Sequence, residues 1–227
     1  MATDTIDRTR RRAARVVGLV YLLVIPLAVF AEYAAGTPDI AAHERFFRLG
    51  TASNLVAFAL DVVLITALYV VLEPVNRPLA LLAAFFGLIE TAILVVVTVS
   101  DFAALRILSG ADYLRAFEPD RLQALARLAR GQHGAAYQVG LVFAGLRSAV
   151  FAYLWFRSRL VPRALAGWGV FASVLLSACT YALIIFPELA KTISPGIYGG
   201  PIFLFELTMG LWLLIRGLRP PESRPIS

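Results

Sequence analysis

The chain has 227 residues, 59% of them hydrophobic and 16% charged, with a mean hydropathy of +0.77. Soluble domains run at about 45–50% apolar and about 25% charged, so an ordinary soluble enzyme is excluded, and this length holds about six membrane spans. The net charge of +6 rests on arginine with a single lysine, which suits anionic lipid surfaces rather than nucleic acid, and the lone Cys179 excludes an intrachain disulfide and a cysteine metal cluster.

Residues 1–14 read as a basic cytoplasmic N-terminal segment, containing Arg8, Arg10, Arg11 and Arg12. Apolar stretches then predict spanning helices at 15–35, 52–72, 79–100, 135–156, 164–186 and 197–216. Each has about 20 residues, enough to cross a hydrocarbon layer about 30 Å thick. The first span also has the outline of a cleaved signal peptide, basic residues followed by an apolar run. A retained helix is favoured because the apolar stretch continues through Tyr33, Ala34 and Ala35.

Proline ends a helix by removing a donor and clashing with the preceding turn, so Glu73–Pro78 and Arg157–Pro162 read as tight hairpin turns. On the opposite face, Thr37-Pro38-Asp39 carries helix-start signals, and a short helix is expected to run to Arg48 and close at Gly50. The pattern recurs from Pro119-Asp120 to Gly131, with Leu122, Leu125, Ala126 and Ala129 on one face. Both read as interfacial helices, or equally as a solvated cap over the bundle. Pro195–Pro201 reads as a flexible outer turn, and 217–227 as a disordered cytoplasmic tail. Trp155 and Tyr153 are placed as interface anchors.

The expected fold class is therefore all-α: one transmembrane domain over 15–216, an integral membrane bundle of six transmembrane helices with short interfacial helices on its outer face. Twelve of the 21 Lys and Arg fall on the side of the N-terminus, eight on the other, and Arg147 lies within a span. That bias predicts both termini in the cytoplasm. A faint echo links Val17-Gly18-Leu19-Val20 to Val139-Gly140-Leu141-Val142. A true repeat would be an inverted one, but membrane helices draw on a small alphabet and chance similarity is the default.

Several stretches resemble one family in order and spacing: Ala14–Leu23, Phe47–Gly50, Leu72–Arg77, His133–Phe143 and Gly210–Gly217. The chain is similar over about residues 12–217 to the bacterial family called domain of unknown function 4386. The resemblance implies a bacterial multi-span membrane protein, and implies no catalytic residue or cofactor; the expected location is the bacterial inner membrane.

The chemistry-bearing positions are Asp61, Glu90, Arg147 and Glu206, each near the middle of a different span. An ionised side chain there costs at least about 2.5–3.5 kcal/mol on insertion scales, so the four are expected to converge inside the bundle. Three acids share one strong cation. Whatever negative charge Arg147 leaves over must be met by protons or by a bound cation. Helical spacing extends polar positions outward through Asn54, Asp101, His133 and Tyr137, a candidate access path from the outer face. Glu32, Glu73 and Asp101 lie at span ends, where reaching to the interface is the default.

No catalytic set, no metal site and no cofactor site emerges. His43-Glu44-Arg45-Phe46-Phe47 lacks the second histidine of a zinc-protease helix, and no Gly-x-Ser-x-Gly elbow is present. Expected partners are membrane lipids and a small polar solute or ion, not nucleic acid. Two readings remain open: binding or translocation of a proton, cation or small polar solute at the charged cluster, and a non-transporting structural or regulatory subunit whose charges hold helices together.

Overall fold

The computed structural model describes residues 2–37, 43–108 and 116–219. It contains α1 (Ala2–Ala35), α2 (Glu44–Leu72), α3 (Arg77–Leu108), α4 (Pro119–Ser158), α5 (Arg163–Ile185) and α6 (Pro195–Ile215), with a short 3-10 helix at Pro187–Lys191. All six α-helices are long and apolar enough to cross a membrane, and there is no strand among the described residues. The predicted all-α, six-span architecture is the one observed.

Neighbours in sequence are neighbours in space. Each helix packs on the one before and the one after, and α6 returns to α1, so the six form a closed ring. Apolar association between helices is weak in lipid, and close backbone approach does more of the work. The seam that closes the ring has glycine on both sides. A Cβ on Gly18 would come within 2.8 Å of the Gly210 carbonyl, and one on Gly210 within 3.1 Å of the Gly18 carbonyl. Gly140, the counterpart of Gly18 in the sequence echo, lies against Leu94 where α4 meets α3.

The tight turns hold as expected. Asn76 caps α3, its Oδ1 accepting from the Leu79 amide at 3.0 Å. The α4–α5 turn passes through Arg159 in the left-handed region at φ 56°. Gly217, at φ 68°, ends α6 with its amide 3.2 Å from the Trp212 carbonyl. Arg219 then donates its amide to the Leu160 carbonyl at 2.8 Å, tying residues 217–219 to the α4–α5 turn. The expected disordered tail otherwise falls on 220–227, outside the described residues.

Four local expectations are corrected. Gly50 does not end a helix: α2 runs through it, because a side chain there would strike Ala34 of α1, and the glycine serves the α1–α2 contact. The start signal at Pro38 and Asp39 lies outside the described residues. Gly131 likewise lies inside α4, a single helix of 40 residues. One interior glycine costs only about 1 kcal/mol, and the Ala-, Leu- and Arg-rich flanks carry the helix through. At about 60 Å, α4 is twice the hydrocarbon thickness, so its first turns stand beyond the membrane-spanning part. On its expected apolar face Ala126 and Ala129 are buried, whereas Leu125 is exposed. Pro195–Pro201 is no loop but the first turns of α6, since a proline at the first helical position gives up a donor that has no partner there anyway. Trp155 is 1% exposed and sits in the core rather than at the interface.

Packing is uneven along the ring axis. Toward the end that carries the N-terminus, Val17, Leu68, Val71, Leu72, Leu154, Trp155, Met209 and Leu213 form a solid core. Large apolar side chains such as Val29, Val56, Val96, Phe171 and Ile185 point outward, a surface for lipid rather than water. Above the solid core, toward the opposite, distal end, the bundle holds cavities between its helices.

Candidate functional site

Mid-span charges line one of those cavities. Arg147 on α4 places Nη1 2.7 and 2.8 Å from the two carboxylate oxygens of Asp61 on α2. Both acceptors share one nitrogen, so this is not the two-nitrogen fork that arginine offers a carboxylate. Thr91 on α3 donates its hydroxyl to Asp61 Oδ2 at 3.1 Å. Arg147 Nε lies 3.1 Å from Glu90 Oε2, an ion pair by distance. The N–H is not aimed at that oxygen, which remains buried without a hydrogen bond. Asp61, Glu90 and Arg147 are all nine-tenths or more buried.

Room for the arginine is made on α3. A Cβ on Gly87 would fall 2.7 Å from Arg147 Cδ and 2.6 Å from Ile65 Cδ1. Glycine at 87 lets the guanidinium stem cross α3 to reach Asp61. Its spacing of three from Glu90 puts both on the face toward α4.

Glu206 on α6 joins the other three in one cavity of about 210 Å3, to which every helix of the ring contributes wall. Among the described residues Glu206 makes no ion pair and no hydrogen bond. Asn54 and Tyr137, of the expected access path, line the same cavity. Asp101 and His133 line a second, of about 260 Å3, nearer the distal end. There His133 Nδ1 and Asp101 Oδ1 are 2.8 Å apart, joining α4 to α3. The His133 ring stacks on Tyr137 with centroids 6.2 Å apart, so the two cavities share an aromatic partition.

Glu32 is exposed near the end of α1, as its span-end position predicts, and it also lines the central cavity, the Asp101–His133 cavity and a third beside His43. Its signal lay in the spacing of Tyr21, Val24, Ala28 and Glu32, which fall on one face of α1 and all line the central cavity. Thr91 was also missed. Being next to Glu90 in sequence gives no hint that its hydroxyl turns to Asp61.

The geometry is that of an amphipathic chamber. A satisfied ion pair forms one wall, unpaired carboxylates lie on others, and hydrocarbon fills the space between. No curated protein matches the chain, and no solved structure does. A family model described as Domain of unknown function (DUF4386) matches residues 16–217, most of the chain. The chain belongs to the DUF4386 family.

Proposed function

We propose that the protein binds a proton, a cation or a small polar solute in the central cavity and carries it across the membrane. The observation that supports this reading is the charge inventory of that cavity, four carboxylates (Glu32, Asp61, Glu90 and Glu206) against one guanidinium. Asp61 and Arg147 neutralise one another. The remaining carboxylates favour a positive occupant, and an occupant that relieves their repulsion biases one bundle arrangement over another. Cavities toward the distal end and a solid core at the opposite end suit a carrier with access from one side. We further place the protein in a bacterial inner membrane with both termini cytoplasmic, because Lys and Arg are in excess on the N-terminal side.

One observation favours the other reading, a structural or regulatory subunit that transports nothing. Asp61, Thr91 and Arg147 satisfy one another without any ligand, as interhelical glue would. Glue does not account for Glu206, which makes no ion pair or hydrogen bond among the described residues, nor for the cavity around it.

The deciding measurement is thermal stability of the purified protein against protons, alkali cations and polar solutes, with Glu206→Gln alongside. A ligand at about 100 times its Kd stabilises by about 2.7 kcal/mol. Stabilisation by one class, lost in a variant that still folds, supports the site. A profile insensitive to every addition overturns it.

A further inference from the structure

We infer that the occupant of the central cavity is a small organic cation, an alkylammonium ion with a hydrocarbon body, and that Glu206 is the carboxylate that takes its charge. The inference rests on the cation-binding reading above and narrows it to one chemical class.

Size argues first. One water molecule takes about 30 Å3 of liquid volume, so a chamber of about 210 Å3 is several times larger than a dehydrated inorganic ion needs. Donor arrangement argues second. A hard cation such as calcium takes 6–8 oxygen ligands at about 2.3–2.6 Å. Among the described residues no three His, Cys, Asp or Glu side chains are arranged to hold a metal ion. The carboxylates are spread around the chamber rather than gathered at a point.

The wall between them argues third. It is hydrocarbon and aromatic, with Leu141 and Ile202 beside Tyr21, Phe58 and Tyr137. Aromatic rings attract cations by about 0.5–1 kcal/mol at exposed sites and about 2 kcal/mol or more when desolvated. Hydrocarbon walls accept a hydrocarbon body. Neither property serves a bare ion, which would lose its water and gain few ligands, Asn54 and Ser148 being the uncharged amide and hydroxyl groups added to the tyrosines there.

Glu206 is singled out by what the other acids already do. Asp61 is held by Arg147 and Thr91, and Glu90 lies 3.1 Å from Arg147 Nε. Glu32 is exposed at the distal end, where it suits a first encounter. Glu206 lies on α6, three places round the ring from Glu90 on α3, and has no partner among the described residues. An ammonium head at Glu206 that also faces the Tyr137 ring leaves the body to lie along Leu141 and Ile202. Glu90 lines the same cavity, and its Oε2 is buried without a hydrogen bond, so it offers a second acceptor.

The test is titration of the purified full-length protein by calorimetry and thermal shift. Probes are ethylammonium, propylammonium and tetramethylammonium, the neutral propanol as size control, and sodium, potassium and a pH series. We expect an alkylammonium ion to bind at least about tenfold more tightly than propanol, with Glu206→Gln removing the difference. Tyr137→Leu should weaken that binding about fivefold or more, and Tyr137→Phe should retain it, as a cation–ring contact requires. This second pair decides the matter if Glu206→Gln does not fold. Binding of sodium, potassium or protons alone overturns the organic-cation inference while leaving a cation site. Binding of propanol as tight as that of its ammonium counterpart overturns it as well. No binding by any probe overturns the inference together with the reading it rests on.

Discussion

Both carboxylate oxygens of Asp61 lie within 2.8 Å of a single nitrogen of Arg147, its Nη1. Nε lies 3.1 Å from Glu90 Oε2, an ion pair by distance. One arginine thus ties α4 to α2 and to α3 at once. Removing one partner of a buried pair typically costs about 3–5 kcal/mol, because the other charge stays buried and uncompensated. Arg147→Gln and Asp61→Asn should each lower stability by about that amount. The double variant should be markedly less destabilised than the sum. Unfolding curves in detergent check this, and strict additivity of the two single effects would show that the pair is not coupled.

Glu206→Gln removes a charge that makes no contact with Arg147 among the described residues. Its removal should not lower intrinsic stability, since a neutral amide avoids the cost of a charge near mid-membrane, while ligand-induced stabilisation is lost. Glu90→Gln should fold as well, since an amide oxygen can still face Arg147 Nε. Comparing melting with and without added cation separates this from a structural role, in which Glu206→Gln would lower both melting temperatures equally.

Gly87 sets the path of the arginine. An alanine there would gain about 1 kcal/mol of helix propensity, yet its Cβ would collide with Arg147 Cδ and Ile65 Cδ1. Overpacking costs about 1–3 kcal/mol, so Gly87→Ala should be net destabilising or neutral at best. Ile65→Val in the same chain should recover only a small part of the loss, since it removes Cδ1 at 2.6 Å but keeps Cγ1 at 2.8 Å. Equilibrium unfolding of both variants measures it.

The ring seam offers a control within one helix. Gly18→Val and Gly210→Val must push α1 and α6 apart, whereas a Cβ on Gly199 meets nothing within 4 Å. The first two should cost about 1–3 kcal/mol, and Gly199→Val should cost less than either. Equal losses at all three positions would contradict a closed α1–α6 contact.

At the distal end, His133 and Asp101 clasp α4 to α3 at 2.8 Å. Asp101 is 6% exposed, so losing a hydrogen-bonding partner costs about 1–3 kcal/mol. His133→Ala should therefore raise amide hydrogen exchange around 101–108 and 120–133, and His133→Gln should restore much of the protection. Unchanged exchange in His133→Ala would mean the clasp holds nothing.

Much of this is legible in the amino-acid sequence. Six apolar stretches dictated six helices because the bilayer core accepts few other structures. Prolines in the two short turns fixed where α2 and α4 stop. The cost of a mid-membrane charge required Asp61, Glu90, Arg147 and Glu206 to face inward, and helical spacing placed Asn54 and Tyr137 on the same side. Failures came where one residue type serves two purposes. Glycine at 50 and 131 reads as a stop signal, yet Gly50 is there for contact with α1 and Gly131 is carried through by its neighbours. Pro195 and Pro201 read as loop residues, yet one starts α6 and the other sits within it.

What the sequence determined by itself is membership of the membrane: hydropathy, span number and the imbalance of buried charge are sums over local composition and need no partner. Which acid Arg147 takes was decided only by the tertiary structure. That choice depends on the rotation of four helices about their axes, on Gly87 letting the side chain pass, and on Thr91 supplying a further donor to Asp61. The same rotations leave Glu206 apart from the pair and bring Glu32 to the rim of the cavity. Distances between helices are set by packing across the whole ring, and no single stretch of chain encodes them.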